Sequence, residues 1–122
     1  MRALLRAALA AAALVSAAFP SAAQTPAATT NGSVTIATGS TFQTILAVLA
    51  AGNTQRRSVT IQNNNTNGDN CWLFIGGGSA TKATSILLAP GGSYQRYYPY
   101  VPSDAIQATC ATTNDTMYLD TQ

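Results

Sequence analysis

The stretches CWLFI (71–75) and AIQATCA (105–111) decide the fold. In the second, Ile106, Ala108 and Cys110 fall on one side of an extended chain and Gln107 and Thr109 on the other, the two-residue period of a strand with one buried face. In the first, Cys71 shares a side with Leu73 and Ile75, which turns Trp72 and Phe74 the opposite way. Each cysteine thus sits on the apolar side of its strand, and two inward-facing cysteines are placed to meet in a core.

Outward from these segments, runs of β-branched and aromatic residues alternate with clusters of Asn, Gly, Ser and Pro, the pattern of short strands joined by turns. Residues 33–37, 57–63, 85–88, 93–98 and 116–120 read as further strands. Residues 41–51 admit two readings: a short helix with Thr41 as N-cap and Gly52 as its stop, or a strand through Phe42, Thr44 and Leu46. The strand is preferred. Asn67-Gly68 suits the positive φ angles of a tight hairpin, Gly76-Gly77-Gly78-Ser79 is a flexible connection, and Pro90-Gly91-Gly92 presets a turn. Seven or eight short strands at this spacing predict an all-β, antiparallel β-sandwich, jelly-roll or immunoglobulin-like, as one domain over residues 33–122.

The N-terminal residues read as a secretory signal peptide over 1–23. Arg2 and Arg6 supply the positive start, residues 3–19 an apolar run, Pro20 a break, and Ser21-Ala22-Ala23 the small residues of a cleavage site. Cleavage leaves Gln24 at the new terminus, followed by a Thr/Ala/Pro-rich leader over 24–32. The competing reading, a retained membrane anchor, needs roughly 20 strongly apolar residues, and this run is shorter and mostly alanine. The expected location is the periplasm or the cell exterior, with no membrane span after signal removal.

Loss of the signal changes the electrostatics. Arg56, Arg57, Lys82 and Arg96 then balance Asp69, Asp104, Asp115 and Asp120, a formal charge of zero. A neutral, charge-poor domain has no electrostatic footprint for nucleic acid. It also repels its own copies weakly, which permits self-association. Export places Cys71 and Cys110, the only cysteines, in an oxidising compartment. An intramolecular disulfide closing about 40 residues is worth roughly 4 kcal/mol on the chain-entropy argument. An intermolecular bridge and two buried thiols are the alternatives.

Several chemistries are missing from the sequence. It contains no histidine and no glutamate, which removes Ser-His-Asp and Cys-His nucleophile pairs and imidazole metal ligands. Asp104 and Asp115 are the best pair for a two-carboxylate hydrolase, but turn aspartates ordinarily cap local amides. The run from Gly76 to Lys82 lacks the glycine that precedes the lysine of a phosphate loop, and no helix follows it. One carboxylate, Asp69, in the Asn-rich stretch 63–70 is a poor donor set for calcium. Asn31, Asn64 and Asn114 begin glycosylation-type triplets, a pattern short enough to arise by chance. No catalytic residue, metal or cofactor is expected.

Aromatic residues carry the remaining signal. Tyr94, Tyr97, Tyr98 and Tyr100 crowd one short segment with Arg96 among them. Tyr and Arg are enriched at recognition surfaces, because they bring large area with a polar handle. Together with Trp72 and Phe74 they form one candidate platform for a protein, copies of this chain included, or for a surface glycan. In the other reading Tyr94 and Tyr98 pack inward and only Tyr97 and Tyr100 are exposed.

The order RRSVTIQN (56–63), LFIG (73–76) and ILLAPGGSY (86–94) resembles small β-sandwich domains of tailed-phage and prophage structural proteins, over roughly residues 42–119. The resemblance implies a decoration, fibre or adhesion-like role without catalytic residues. The signal peptide and the cysteine pair depart from that pattern, since virion proteins assembled in the cytoplasm use neither. The expectation is an exported, non-enzymatic structural or interaction module that self-associates, with a monomeric carbohydrate- or cell-surface-binding module as the alternative.

Overall fold

In a computed structural model, residues 30–122 except 53 and 54 are described. They carry eight strands: β1 Thr30–Thr35, β2 Gln43–Leu46, β3 Ser58–Asn63, β4 Cys71–Ile75, β5 Ile86–Leu88, β6 Ser93–Tyr97, β7 Ile106–Cys110 and β8 Thr116–Thr121, with a single 3-10 turn at Lys82–Thr84. Two antiparallel sheets form, ordered β1-β8-β3-β6 and β2-β7-β4-β5. The segment read as a signal peptide, 1–23, and most of the stretch read as a leader lie outside the described residues.

The pairing has a simple rule. β1 pairs with β8, β2 with β7, β3 with β6 and β4 with β5, as in one long hairpin with its tip between β4 and β5. Two further ladders, β3 with β8 and β4 with β7, roll that hairpin into two sheets. This is the eight-stranded jelly roll, not the immunoglobulin order.

Alternation places the core between the sheets. Val59 and Ile61 of β3, Cys71 and Leu73 of β4, Ile106, Ala108 and Cys110 of β7 and Met117 of β8 have no exposure. Their odd or even neighbours face outward, as period two requires. Cys71 and Cys110 are direct partners across the β4–β7 ladder, with Cα atoms 3.9 Å apart, and are joined by a disulfide. Ala111 N–H donates to Asn70 C=O next door, so the cysteines occupy a close, non-hydrogen-bonded pair, the type that brings facing side chains nearest.

Four details differ from the sequence reading. β1 begins at Thr30, three residues inside the stretch assigned to the leader, because the edge of β8 offers partners as far as Thr121. Residues 41–51 hold a strand and no helix, as preferred, but β2 is shorter than that stretch. A bulge between Thr44 and Leu46 sets Leu46 opposite the buried Ile106, so Phe42, Thr44 and Leu46 do not share a face. Asn67-Gly68 makes no tight hairpin either. β3 and β4 belong to different sheets, and the Asn67 carboxamide folds the loop by accepting from Asp69 N–H at 3.2 Å. The Pro90 turn is as expected: Gly91 has φ +75° and Gly92 N–H donates to Ala89 C=O at 2.7 Å.

Candidate functional site

The aromatic residues do not form one platform. Trp72 and Phe74 lie on the outer face of the β2-β7-β4-β5 sheet, as alternation dictates, and both are half-buried. The β4–β5 connection folds over that face. Lys82 Nζ stands 4.2 Å above the Trp72 ring and donates to Ser40 Oγ at 3.2 Å. Gln107 Nε2 of β7 holds Gly78 C=O at 3.3 Å. Thr109, the ladder partner of Trp72, has no exposure although it faces outward. The Gly76–Lys82 segment therefore serves to cover this sheet.

Tyr94 also leaves the candidate surface. It is buried opposite Ile61 in the β3–β6 ladder, while Arg96 lies over its ring at 4.8 Å. Burial raises the Tyr94 phenol above its ordinary pKa, and the Arg96 charge opposes that shift. Tyr97, Tyr98 and Tyr100 are 61%, 65% and 80% exposed. Tyr98 does not pack inward, because β6 ends at Tyr97 and the chain turns there, with Tyr100 N–H closing onto Tyr97 C=O at 2.9 Å.

This tyrosine ridge stands on a braced base. Arg56 is buried at the same end of the sandwich, and its Nη1 donates to Pro102 C=O at 2.7 Å and Asp104 C=O at 3.1 Å while Nη2 donates to Ala47 C=O. One guanidinium thereby ties the β2–β3 connection to the β6–β7 connection. Desolvation lowers the Arg56 pKa from the usual arginine value, and the Asp104 charge partly restores it. Leu49 N–H to Ser103 C=O, 2.9 Å, and Gln55 Nε2 to Pro99 C=O, 3.4 Å, add to the brace. Val48, 61% exposed, belongs to the same connection as Ala47.

The opposite end is polar. Asp115 and Asp69 share the Asn67 amide, whose Nδ2 donates to Asp115 Oδ1 at 3.0 Å and Asp69 Oδ2 at 2.9 Å. Thr112 completes the set, its N–H donating to Asp115 Oδ2 at 3.1 Å and its hydroxyl lying 2.5 Å from Asp69 Oδ2. Asp104 precedes β7 and Asp115 follows it, so these two carboxylates lie at opposite ends of a strand and cannot face each other across one bond. Among the described residues no three His, Cys, Asp or Glu side chains gather as a metal site, and no helix is long and apolar enough to cross a membrane.

Neither Arg56 nor the Asp69–Asp115 pairing is visible in local sequence, since their partners come from distant loops. Asn63 is different: it follows Val59 and Ile61 on the inward face, a polar residue at a core position. There its Nδ2 donates to Asp69 C=O at 2.8 Å and Leu88 C=O at 3.0 Å. Comparison with protein-family models, curated proteins and solved structures found no match.

Proposed function

We propose that this chain works outside the cytoplasm as a non-enzymatic structural module that joins protein surfaces, copies of itself included. The observation that carries the reading is the ridge of Tyr97, Tyr98 and Tyr100, large polar-tipped rings held out on a braced backbone. Such rings bring interface area at small cost in side-chain entropy, and a rigid base lowers the ordering cost of association. The buried disulfide is in keeping with an oxidising compartment. Export through a cleaved signal and kinship with phage structural sandwiches are parts of the same proposal.

The carbohydrate-binding alternative draws support from the same ridge, since exposed flat rings stack on sugar faces. Trp72 does not add to it while Lys82 covers its ring. Sedimentation velocity of the oxidised protein and of Y98S/Y100S, run beside a glycan array, separates the readings. Association of the wild type that weakens in the double variant is the expected result. A monomer that binds glycans through these tyrosines would replace the structural role with the binding one, and a monomer that binds none would remove both.

A further inference from the structure

We infer that two copies of this chain join edge to edge through β6, making one continuous eight-stranded sheet across a two-fold axis at Gln95. This rests on the self-association reading and places the contact on the β6 edge, with Tyr97 paired in it and Tyr98 and Tyr100 continuing from the end of the strand. The sandwich has two flanks, one between the edge strands β1 and β2 and one between β5 and β6. The first is stitched shut. Gln43 Nε2 donates to Thr35 C=O at 2.8 Å and its Oε1 accepts from Ala37 N–H at 2.9 Å, bridging the sheets. The second is open. Ile86 sits opposite the fully buried Leu73, on the core side of β5, yet it is 42% exposed, and its neighbour Leu87 is 55% exposed. An inward-facing aliphatic side chain left to solvent is what a second body would cover.

The four edges are not equally guarded. β2 carries a bulge, β5 has three residues and is followed within two positions by Pro90, and β1 contains Gly32. β6 has an unbroken register over five residues and contains neither glycine nor proline. The β3–β6 ladder bonds at Arg57/Tyr98 and Asn63/Gly92. By alternation, Ser93, Gln95 and Tyr97 aim their N–H and C=O groups away from β3, toward the open flank. One of those groups is occupied by a side chain, since Arg96 Nη1 donates to Gln95 C=O at 2.9 Å.

This edge is complementary to itself. With the axis at Gln95, Gln95 meets its own copy, Ser93 meets Tyr97 of the second chain, and Tyr94 meets Arg96. The outward-aimed groups all fall at hydrogen-bonded positions. Tyr94 and Arg96 fall at the close, non-bonded positions, where each guanidinium meets the second chain's Tyr94, the cation–π contact it already makes within one chain. The Gln95 carbonyl exchanges its arginine partner for a backbone N–H of the second copy. The arrangement is isologous and closes on itself, giving a dimer and not a fibre.

Cysteine trapping tests the register. At the axis, Gln95 and its copy are expected to have Cα atoms about 5.5 Å apart, within reach of a disulfide, whereas two Ser93 residues lie about 14 Å apart. Mild oxidation should therefore link Q95C into dimers and leave S93C unlinked. Q95P is the companion variant. It removes an N–H that faces the flank and is not used within the chain, so the fold persists by circular dichroism while the dimer is lost. Linkage of S93C alone, or association of folded Q95P equal to wild type, overturns the β6 surface and leaves self-association standing. A wild type that stays monomeric throughout the concentration series overturns both.

Discussion

Arg56 and Tyr94 show what single residues do in this domain. Arg56 is a buried cation in a charge-poor protein, and its burial is offset by three carbonyl acceptors from two loops. Replacing it with methionine leaves those carbonyls without their donor, and the expected loss is about 2–4 kcal/mol in urea unfolding, with faster amide exchange in both loops. Tyr94 sets an alkaline limit. Its phenol holds its proton more tightly in the folded chain than in the unfolded one. The stability it contributes is complete below about pH 10 and falls as pH rises through the higher folded value. Thermal melts between pH 8 and 11 should show that fall in the wild type and a shallower one in Y94F. Trp72 facing outward, with the cysteines facing inward, was readable directly from two-residue alternation. The burial of Tyr94 was one of the two readings that alternation left open, whereas the exposure of Tyr98 was not readable, because it depends on where β6 ends.

At the scale of elements, the β4–β7 ladder is the part most fully legible in sequence. CWLFI and AIQATCA each state their inward face, and the disulfide joins residues that the register makes direct partners. Both cysteines are without exposure. Reductant without denaturant should leave the bridge intact, as read by thiol alkylation and mass. The C71A/C110A variant should lose about 2–5 kcal/mol in denaturant unfolding. The β1–β2 connection is constrained by packing that no local pattern signals. A Cβ on Gly39 would stand 2.7 Å from Thr112 C and 2.8 Å from Thr113 N, both backbone atoms of the β7–β8 turn. G39A should therefore cost about 1–3 kcal/mol, measured the same way. The β2 bulge and the inter-sheet path of the Asn-rich loop escaped the sequence reading for a related reason: the bulge is set by the strand that β2 meets, and the loop is anchored by Asn67 to Asp115 in the distant β7–β8 connection as well as by its own side chains.

For the whole molecule, strand count and spacing predicted a sandwich, while the sheet to which each strand belongs follows from the rolled hairpin, a long-range property without a local signature. The rolling leaves two flanks, one closed by Gln43 and one left open beside β6. It also sends the tyrosine ridge to one end and the Asp69–Asp115 cluster to the other. Residues 33–122 carry four basic and four acidic side chains, so a domain with this open edge lacks the long-range repulsion that keeps many domains apart. Self-association is read from the molar mass of the purified, oxidised protein by light scattering over a concentration series, with and without reductant. A mass twice that of the chain, approached as concentration rises and unchanged by reductant, is expected. A mass that stays at one chain at every concentration, or a dimer that falls apart on reduction, would contradict it.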